Sequence, residues 1–242
     1  KAAESNIKNS TNSLRLYELG NIHFQNGKKL GDMSEEIKLT GIILGDERIN
    51  SVHHDKEDHD IFSIKGMLKH ILGGSAFSKI DMVDCKNELY EYGFSLDAEG
   101  IHIGTFGKIS KKLFKLLNIG SKDVFGFDIN IEKIKSFTGE KIYKSINSLP
   151  KISRRINLLL KDQESVGSIL KLIQEKGGNN LIKHHPVEIF KDKESIGENK
   201  KSVVFEMIFQ HKEKTLEDKD VNPIIDEIID IAQSKFNAKL RV

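Results

Sequence analysis

Apolar residues recurring with a period of two mark the first part of the chain as strand-rich. Leu14 to Phe24 reads as an extended run closed by the turn pair Asn26-Gly27, and Ile37 to Leu44 as a second run stopped at Gly45-Asp46. The period then changes. Ile61, Ile64, Leu68, Ile71 and Leu72 share one helical face, with Asp60 placed to cap that helix and Gly73-Gly74 to stop it. Strand spacing returns at Tyr90, Tyr92, Phe94 and Leu96, and again at Ile101, Ile103 and Thr105; Asp97 to Gly100 can turn between them, which is a hairpin pattern. Ser110 can cap a short helix over Lys111 to Leu117, and Phe125, Phe127, Ile129 and Ile131 predict a further strand. The expected product is an α+β module with a largely antiparallel sheet.

Prolines are confined to Pro150, Pro186 and Pro223, and no repeat or low-complexity stretch is visible, so the boundary comes from a change in pattern. The polar stretch Lys144 to Ser148, leading into Leu149-Pro150, divides the chain into modules 1–147 and 148–242. Beyond it the order becomes regular: a strand at Ile156 to Leu160, a helix carrying Val166, Ile169, Leu170 and Ile173 up to Gly177-Gly178, and a strand at Leu181 to Phe190. A third strand spans Ser202 to Gln210, with Val203, Phe205, Met207 and Phe209 on one face. Thr215 to Asp218 supplies a cap and early acidic residues for a long helix with the stripe Val221, Ile224, Ile225, Ile228, Ile229, Ala232 and Phe236, and Leu240 to Val242 closes as a short strand. This β-α-β-β-α-β order is the ferredoxin-like arrangement, in which both helices cover one face of the sheet and the other stays available for a partner.

Composition narrows the function classes. The 242 residues are 38% hydrophobic and 31% charged, enough for a core beneath a solvated surface, and no apolar stretch is long enough to span a bilayer. The net charge of +2 lies wholly after Pro150 and is too small to support nonspecific polyanion binding, so a nucleic-acid function must rest on local patches. One cysteine, Cys85, excludes an intrachain disulfide and a cysteine-rich zinc site and fits a reducing compartment. Lys1 and the polar run Ala2 to Ser13 contain no Met and no apolar signal core, and read as a piece of something longer.

Candidate chemistry is sparse. His53-His54-Asp55-Lys56-Glu57-Asp58-His59-Asp60 carries metal-ligand types, but adjacent histidines in a strongly charged stretch read as a solvated loop, and His184-His185 before Pro186 reads as a strand entry or edge. Gly104-Thr105-Phe106-Gly107-Lys108 lacks the glycine and hydroxyl positions of a phosphate loop, since His102 and Ile109 stand there; it reads as a strand running into the Ser110 cap. No Ser/His/Asp, Cys/His or paired-carboxylate pattern stands out. In the second module Arg154-Arg155, Lys183, Lys191, Lys193 and Lys200-Lys201 hold basic residues. Alternation sends Arg155 and Asn157 to the open face with Glu206, a pattern that by charge alone reads as solvated. Phe205 and Phe209 point to the core, so an aromatic platform of the RNP type is missing.

Leu149-Pro150 through Arg154, Lys200 to Phe205, Phe209-Gln210 and Lys214 to Asp218 followed by Val221 resemble the ferredoxin-fold anticodon-binding domain of the bacterial phenylalanine–tRNA ligase β-chain family. Independently, Leu14 to Gly20, Asp60 to Gly66 and Gly104 to Lys108 are similar to the later part of that family's catalytic-like domain. The resemblance covers nearly the whole chain. It implies an antiparallel, class II synthetase-like but non-catalytic module over 1–147 and an anticodon-binding domain over 148–242, together a C-terminal fragment. It further implies a cytoplasmic parent enzyme in which the α chain activates phenylalanine with ATP and magnesium and two αβ pairs assemble. Phenylalanine tRNA and the α chain are then the expected partners, with no catalytic residue, metal or cofactor site in this piece. Arg154, Lys200 and Lys201 are expected at phosphates, and Arg155 and Ser202 as weaker RNA contacts. The family usually has aspartate where Arg155 and Lys191 stand, and often a basic residue at Glu206, so Arg155 and Glu206 are expected to pair in the reverse sense. A stand-alone RNA-binding protein and an amino-acid-sensing regulatory module are the competing readings.

Overall fold

The computed structural model describes residues 2–9, 11, 13–27, 31–113, 122–135 and 147–241. The chain forms two compact units, Lys1–Ile142 and Tyr143–Val242. In the first, helix α1 (Ala2–Lys8) precedes β1 (Leu14–Gln25), β2 (Met33–Leu44), β3 (Asp46–Arg48) and β4 (Glu57–Asp58). Helices α2 (Ile61–Leu72) and α3 (Gly74–Phe77) follow, then β5 (Asp81–Asp84), β6 (Tyr90–Ala98), β7 (Ile101–Ile109), β8 (Val124–Asn130) and α4 (Ile131–Lys135). Six strands make one antiparallel sheet in the order β1-β2-β8-β7-β6-β5. Helix α2 buries Ile64, Leu68 and Leu72 among Ile43, Leu96, Phe106 and Phe127, while α1 places Ala3 against Leu14, Leu44 and Val124. Ile43 and Leu44 are consecutive on β2, so these two clusters occupy opposite faces of the sheet.

Local chemistry explains the element boundaries. The Asp60 carboxylate accepts hydrogen bonds from the Phe62 and Ser63 amides at 2.8 Å each, and the Ser63 hydroxyl accepts from the Asp60 amide at 3.1 Å, a reciprocal cap on α2. Ile131 does not extend β8 as its alternation predicts. The Asn130 side chain accepts from the amides of Glu132 and Lys133, both at 3.0 Å, and turns the chain into α4. A bulge between Tyr90 and Tyr92 breaks the expected alternation in β6, burying Tyr90 and exposing Tyr92. His59 is buried rather than solvated: only 6% of it is exposed, and its Nε2 accepts from Arg15 Nε at 3.3 Å. Burial, then the Arg15 charge, pushes the imidazole below the ordinary histidine value. Residues 111–113 are helical, and the rest of the expected Lys111 to Leu117 helix lies outside the described residues, as does most of the boundary stretch.

The second unit contains β9 (Ile152–Lys161), α5 (Val166–Lys176), β10 (Leu181–Phe190), α6 (Lys193–Ile196), β11 (Lys200–Phe209), α7 (Asp218–Phe236) and β12 (Lys239–Leu240). Its sheet order, β10-β11-β9-β12, puts the third long strand between the first two, the ferredoxin-like topology. Ile156, Leu158 and Leu160 of β9 and Val203, Phe205, Met207 and Phe209 of β11 are buried beneath Ile169 and Ile173 of α5 and Val221, Ile225 and Ile228 of α7. Asn147 is held to this unit, donating to the His211 carbonyl at 2.8 Å, and Gln210 donates to the Leu149 carbonyl at 2.6 Å. Among the described residues no helix is long and apolar enough to cross a membrane.

Strands β7 and β8 approach so closely that a Cβ on Gly104 would lie 2.1 Å from the Asp128 carbonyl oxygen and 2.8 Å from Ile129 Cα. Both obstacles are backbone, which cannot rotate away. Gly104→Ala is therefore expected to destabilise the chain by about 1 to 3 kcal/mol, read as a lower urea midpoint; an unchanged midpoint would contradict the packing described.

Candidate nucleic-acid interface

In the second unit the sheet face opposite α5 and α7 collects the alternate residues of the long strands. From β9 come Arg155 and Asn157, from β11 Lys200, Ser202, Val204 and Glu206, and from β10 Phe190, Glu188 and His185, by the observed register. Arg241 follows β12, and its amide donates to the Asn157 carbonyl at 2.8 Å. Its guanidinium lies 5.5 Å from the centroid of the Phe190 ring, which belongs to the opposite edge strand. The contact bridges a cavity of about 240 Å³ lined by Asn157, Glu188, Phe190, Ser202, Val204 and Arg241. On its floor the Ser202 hydroxyl donates to Asn157 Oδ1 at 2.6 Å. The cavity thus combines one aromatic plane, one cation, one carboxylate and an amide–hydroxyl pair.

Beside it Glu206 gathers three donors. Its carboxylate accepts from Arg155 Nε at 3.0 Å and from Ser153 Oγ at 3.1 Å, a second Arg155 nitrogen lies at 2.9 Å, and His185 Nε2 lies at 3.5 Å. The Arg155 guanidinium, then the Ser153 hydroxyl, hold this carboxyl below the ordinary glutamate value, against the effect of partial burial. The expected cross-strand pair is present, and it engages Arg155 with a carboxylate of its own sheet. At the end of the same face Lys161 and Lys200 stand directly opposite each other, and among the described residues neither ammonium has a carboxylate partner. Like charges so placed repel.

The five residues singled out from sequence fall into two groups. Arg155, Lys200 and Ser202 lie on the open face. Arg154 and Lys201 alternate to the helix side: Arg154 is bonded to Asp218 at the start of α7, and Lys201, 9% exposed, donates to the Asp162 carbonyl at 2.7 Å. Phe190, Asn157, Glu188 and Arg241 carried no sequence expectation of binding. Phe205 and Phe209 do point into the core, but Phe190 supplies an aromatic ring from the edge strand. Alternation along Leu181 to Phe190 could have placed that ring on the open face. Nothing in the last residues of the chain indicates that Arg241 reaches across to it.

Other groups are ruled out by geometry. Ser95, Asp97 and His102 converge although no such pattern stood out in the sequence. Ser95 Oγ and Asp97 Oδ1 both meet His102 Nδ1, each at 3.0 Å, whereas a nucleophile relay needs them on different ring nitrogens. Lys108 is tied to Asp123 at 2.8 Å, and Gly104 to Lys108 is strand throughout. Among the described residues no three His, Cys, Asp or Glu side chains are placed to hold a metal ion.

An α/β-covered sheet with an open polar face is an architecture that binds many ligands, and comparison with known families identifies this instance. Residues 147–241 match the family described as the ferredoxin-fold anticodon binding domain, in agreement with the topology of the second unit. Residues 1–131 match the phenylalanyl tRNA synthetase beta chain CLM domain, and the chain belongs to that synthetase beta-chain family. Phenylalanine–tRNA ligase beta subunits from Listeria monocytogenes and Fusobacterium nucleatum are 28% and 27% identical to it, over 100% and 98% of this chain and 30% of each relative. That of Prochlorococcus marinus is 29% identical over 98% of this chain and 29% of its own. The chain therefore spans about 30% of the length of the curated relatives it matches.

The Glu206 network gives a pH dependence of definite sign. With the folded-state value depressed, its contribution to stability is complete above the ordinary glutamate value and is lost as pH falls through the depressed one. A carboxyl-carbon NMR titration should place the Glu206 midpoint below that of a free glutamate, and Arg155→Met should move it upward. An identical midpoint in the variant would show that the guanidinium is not the cause.

Proposed function

We propose that this chain is the C-terminal part of the β subunit of a cytoplasmic phenylalanine–tRNA ligase, in which residues 148–242 bind the anticodon region of phenylalanine tRNA. Residues 1–147 form part of a catalytic-like domain that serves subunit assembly, beside an α chain in a two-α two-β enzyme. ATP and magnesium belong to the activation of phenylalanine elsewhere in that enzyme. No described cluster here fits a metal, and no chemical step is assigned to this chain.

The observation that carries this reading is the cavity beneath the Arg241–Phe190 bridge. A nucleobase entering it would stack on the Phe190 ring and meet the Asn157–Ser202 pair and Glu188 along its polar edge. The adjacent Lys200 and Lys161 are placed for the flanking phosphates, which position the RNA without reading its sequence. In this arrangement Lys200 and Ser202 contact RNA directly, and Arg155 does so while shared with Glu206. Arg154 and Lys201 reach a phosphate only by releasing Asp218 and the Asp162 carbonyl. An amino-acid-sensing module would place its ligand at a helix or strand interface, whereas this cavity lies on the open face of the sheet.

Two substitutions in the assembled full-length enzyme test the assignment. Phe190→Ala is expected to weaken tRNA binding by about tenfold, the order of one lost base stack, while phenylalanine adenylate formation is unchanged. Lys200→Ala should lower the slope of log affinity against log salt by about one. Unchanged tRNA affinity in Phe190→Ala, measured by filter binding, would remove the cavity from the RNA interface.

A further inference from the structure

Helix α2 presents a second stripe that its own fold does not require. Its inner face, Ile64, Leu68 and Leu72, is buried in the sheet. The outer face carries Phe62, Lys65, Gly66 and Lys69, which with Gly74, Phe77 and Ser78 at α3 line a shallow groove of about 400 Å³. Phe62 is 71% exposed. Gly66 sits in mid-helix, where glycine costs about 1 kcal/mol relative to alanine. No close packing justifies it, because a Cβ at this position would meet nothing within 4 Å. Lys65 and Lys69 are four residues apart on one helix, a spacing at which like charges repel. Among the described residues neither has a carboxylate partner. Burial, then the Lys69 charge, pushes the Lys65 ammonium below the ordinary lysine value.

These three liabilities lie on one stripe, and a single occupant relieves them all. We propose that the α2–α3 groove docks an acidic amphipathic helix of a partner protein, with an apolar side chain seated over Gly66 between Phe62 and Phe77 and carboxylates at Lys65 and Lys69. The missing Cβ lets a partner backbone approach closely, and the flanking rings cover its apolar side chain. The lysine stems extend the apolar wall while their ammonium groups supply the complementary charge. A nucleic acid would neutralise the lysines, but it would bring a charged backbone against a floor built from glycine, phenylalanine and methylene groups.

The full 242-residue chain can be titrated by fluorescence anisotropy with a labelled synthetic helical peptide bearing a leucine face flanked by glutamates. A version with lysine in place of glutamate serves as control, and a single-stranded RNA oligonucleotide as competitor. The acidic peptide is expected to bind the unaltered chain. Gly66→Leu, which fills the groove from within a better helix former, should weaken binding at least about tenfold while the melting temperature holds or rises. Lys65→Glu combined with Lys69→Glu should transfer preference to the basic peptide. The proposal is overturned by absence of binding up to about 1 mM peptide, or by equal binding to Gly66→Leu. It is also overturned by displacement of the peptide by RNA in a manner that depends on Lys65 and Lys69, which would assign the groove to nucleic acid.

Discussion

Pairing of Ile156 with Phe205 and of Leu158 with Val203 sets the register between β9 and β11, and the character of both faces of the second unit's sheet follows from it. A slip of one residue would turn every side chain on one strand to the other face, sending Phe205 and Met207 into solvent and Glu206 into the core. Each large apolar side chain buried there contributes about 1.5 to 3 kcal/mol, whereas an exposed ion pair contributes about 1 kcal/mol or less. The apolar face therefore decides the register. The juxtaposition of Arg155 with Glu206, and of Lys161 with Lys200, is a consequence of that choice rather than its cause.

The open face that results is mixed in charge. Arg155 and His185 converge on Glu206, Glu188 shares the cavity with Arg241, and among the described residues the cations of this face without a carboxylate partner are Lys161 and Lys200 at one end and Lys183 at the other. Such a surface attracts polyanions only weakly at a distance, in keeping with a net charge of +2. Discrimination on it must come from contacts made at close range. The Phe190 ring and the Asn157–Ser202 pair are the groups suited to that, since neither depends on charge and both are fixed by neighbouring backbone or side chains.

Much of this architecture is legible from periodicity. Leu181–Phe190 is read to the residue although it is an edge strand with no fully buried position, and the long strand Lys200–Phe209 and the helix Asp218–Phe236 are read to within a few positions, because each of these two buries a continuous apolar stripe. Elements that bury little leave weaker signals. Helix Ala2–Lys8 has one buried residue, Ala3, and a Glu4–Lys8 pair in place of an apolar stripe, so in sequence it shows only as a polar run. Ile131 satisfies the strand period but is overruled by an Asn130 cap that no period encodes. The site is legible in part for a different reason. Ser202 and Arg155 follow from alternation, while the Arg241–Phe190 bridge joins opposite edges of a sheet, and only the strand order brings them together. His59 is misread for the same cause, since the side chain it bonds to when buried, Arg15, lies 44 positions earlier.

Two glycines of the first unit separate what the fold demands from what it merely permits. At Gly104 the neighbouring strand leaves no room for a Cβ, so the residue is explained by the sheet that contains it. At Gly66 there is open space, the helix is weakened by the choice, and the inner face of α2 packs equally well without it. A local cost with no internal return, beside an exposed phenylalanine and two lysines without a carboxylate partner among the described residues, locates its explanation outside the unit. Helix α2 therefore has an inner stripe that builds the core and an outer stripe whose physical logic is completed by another molecule.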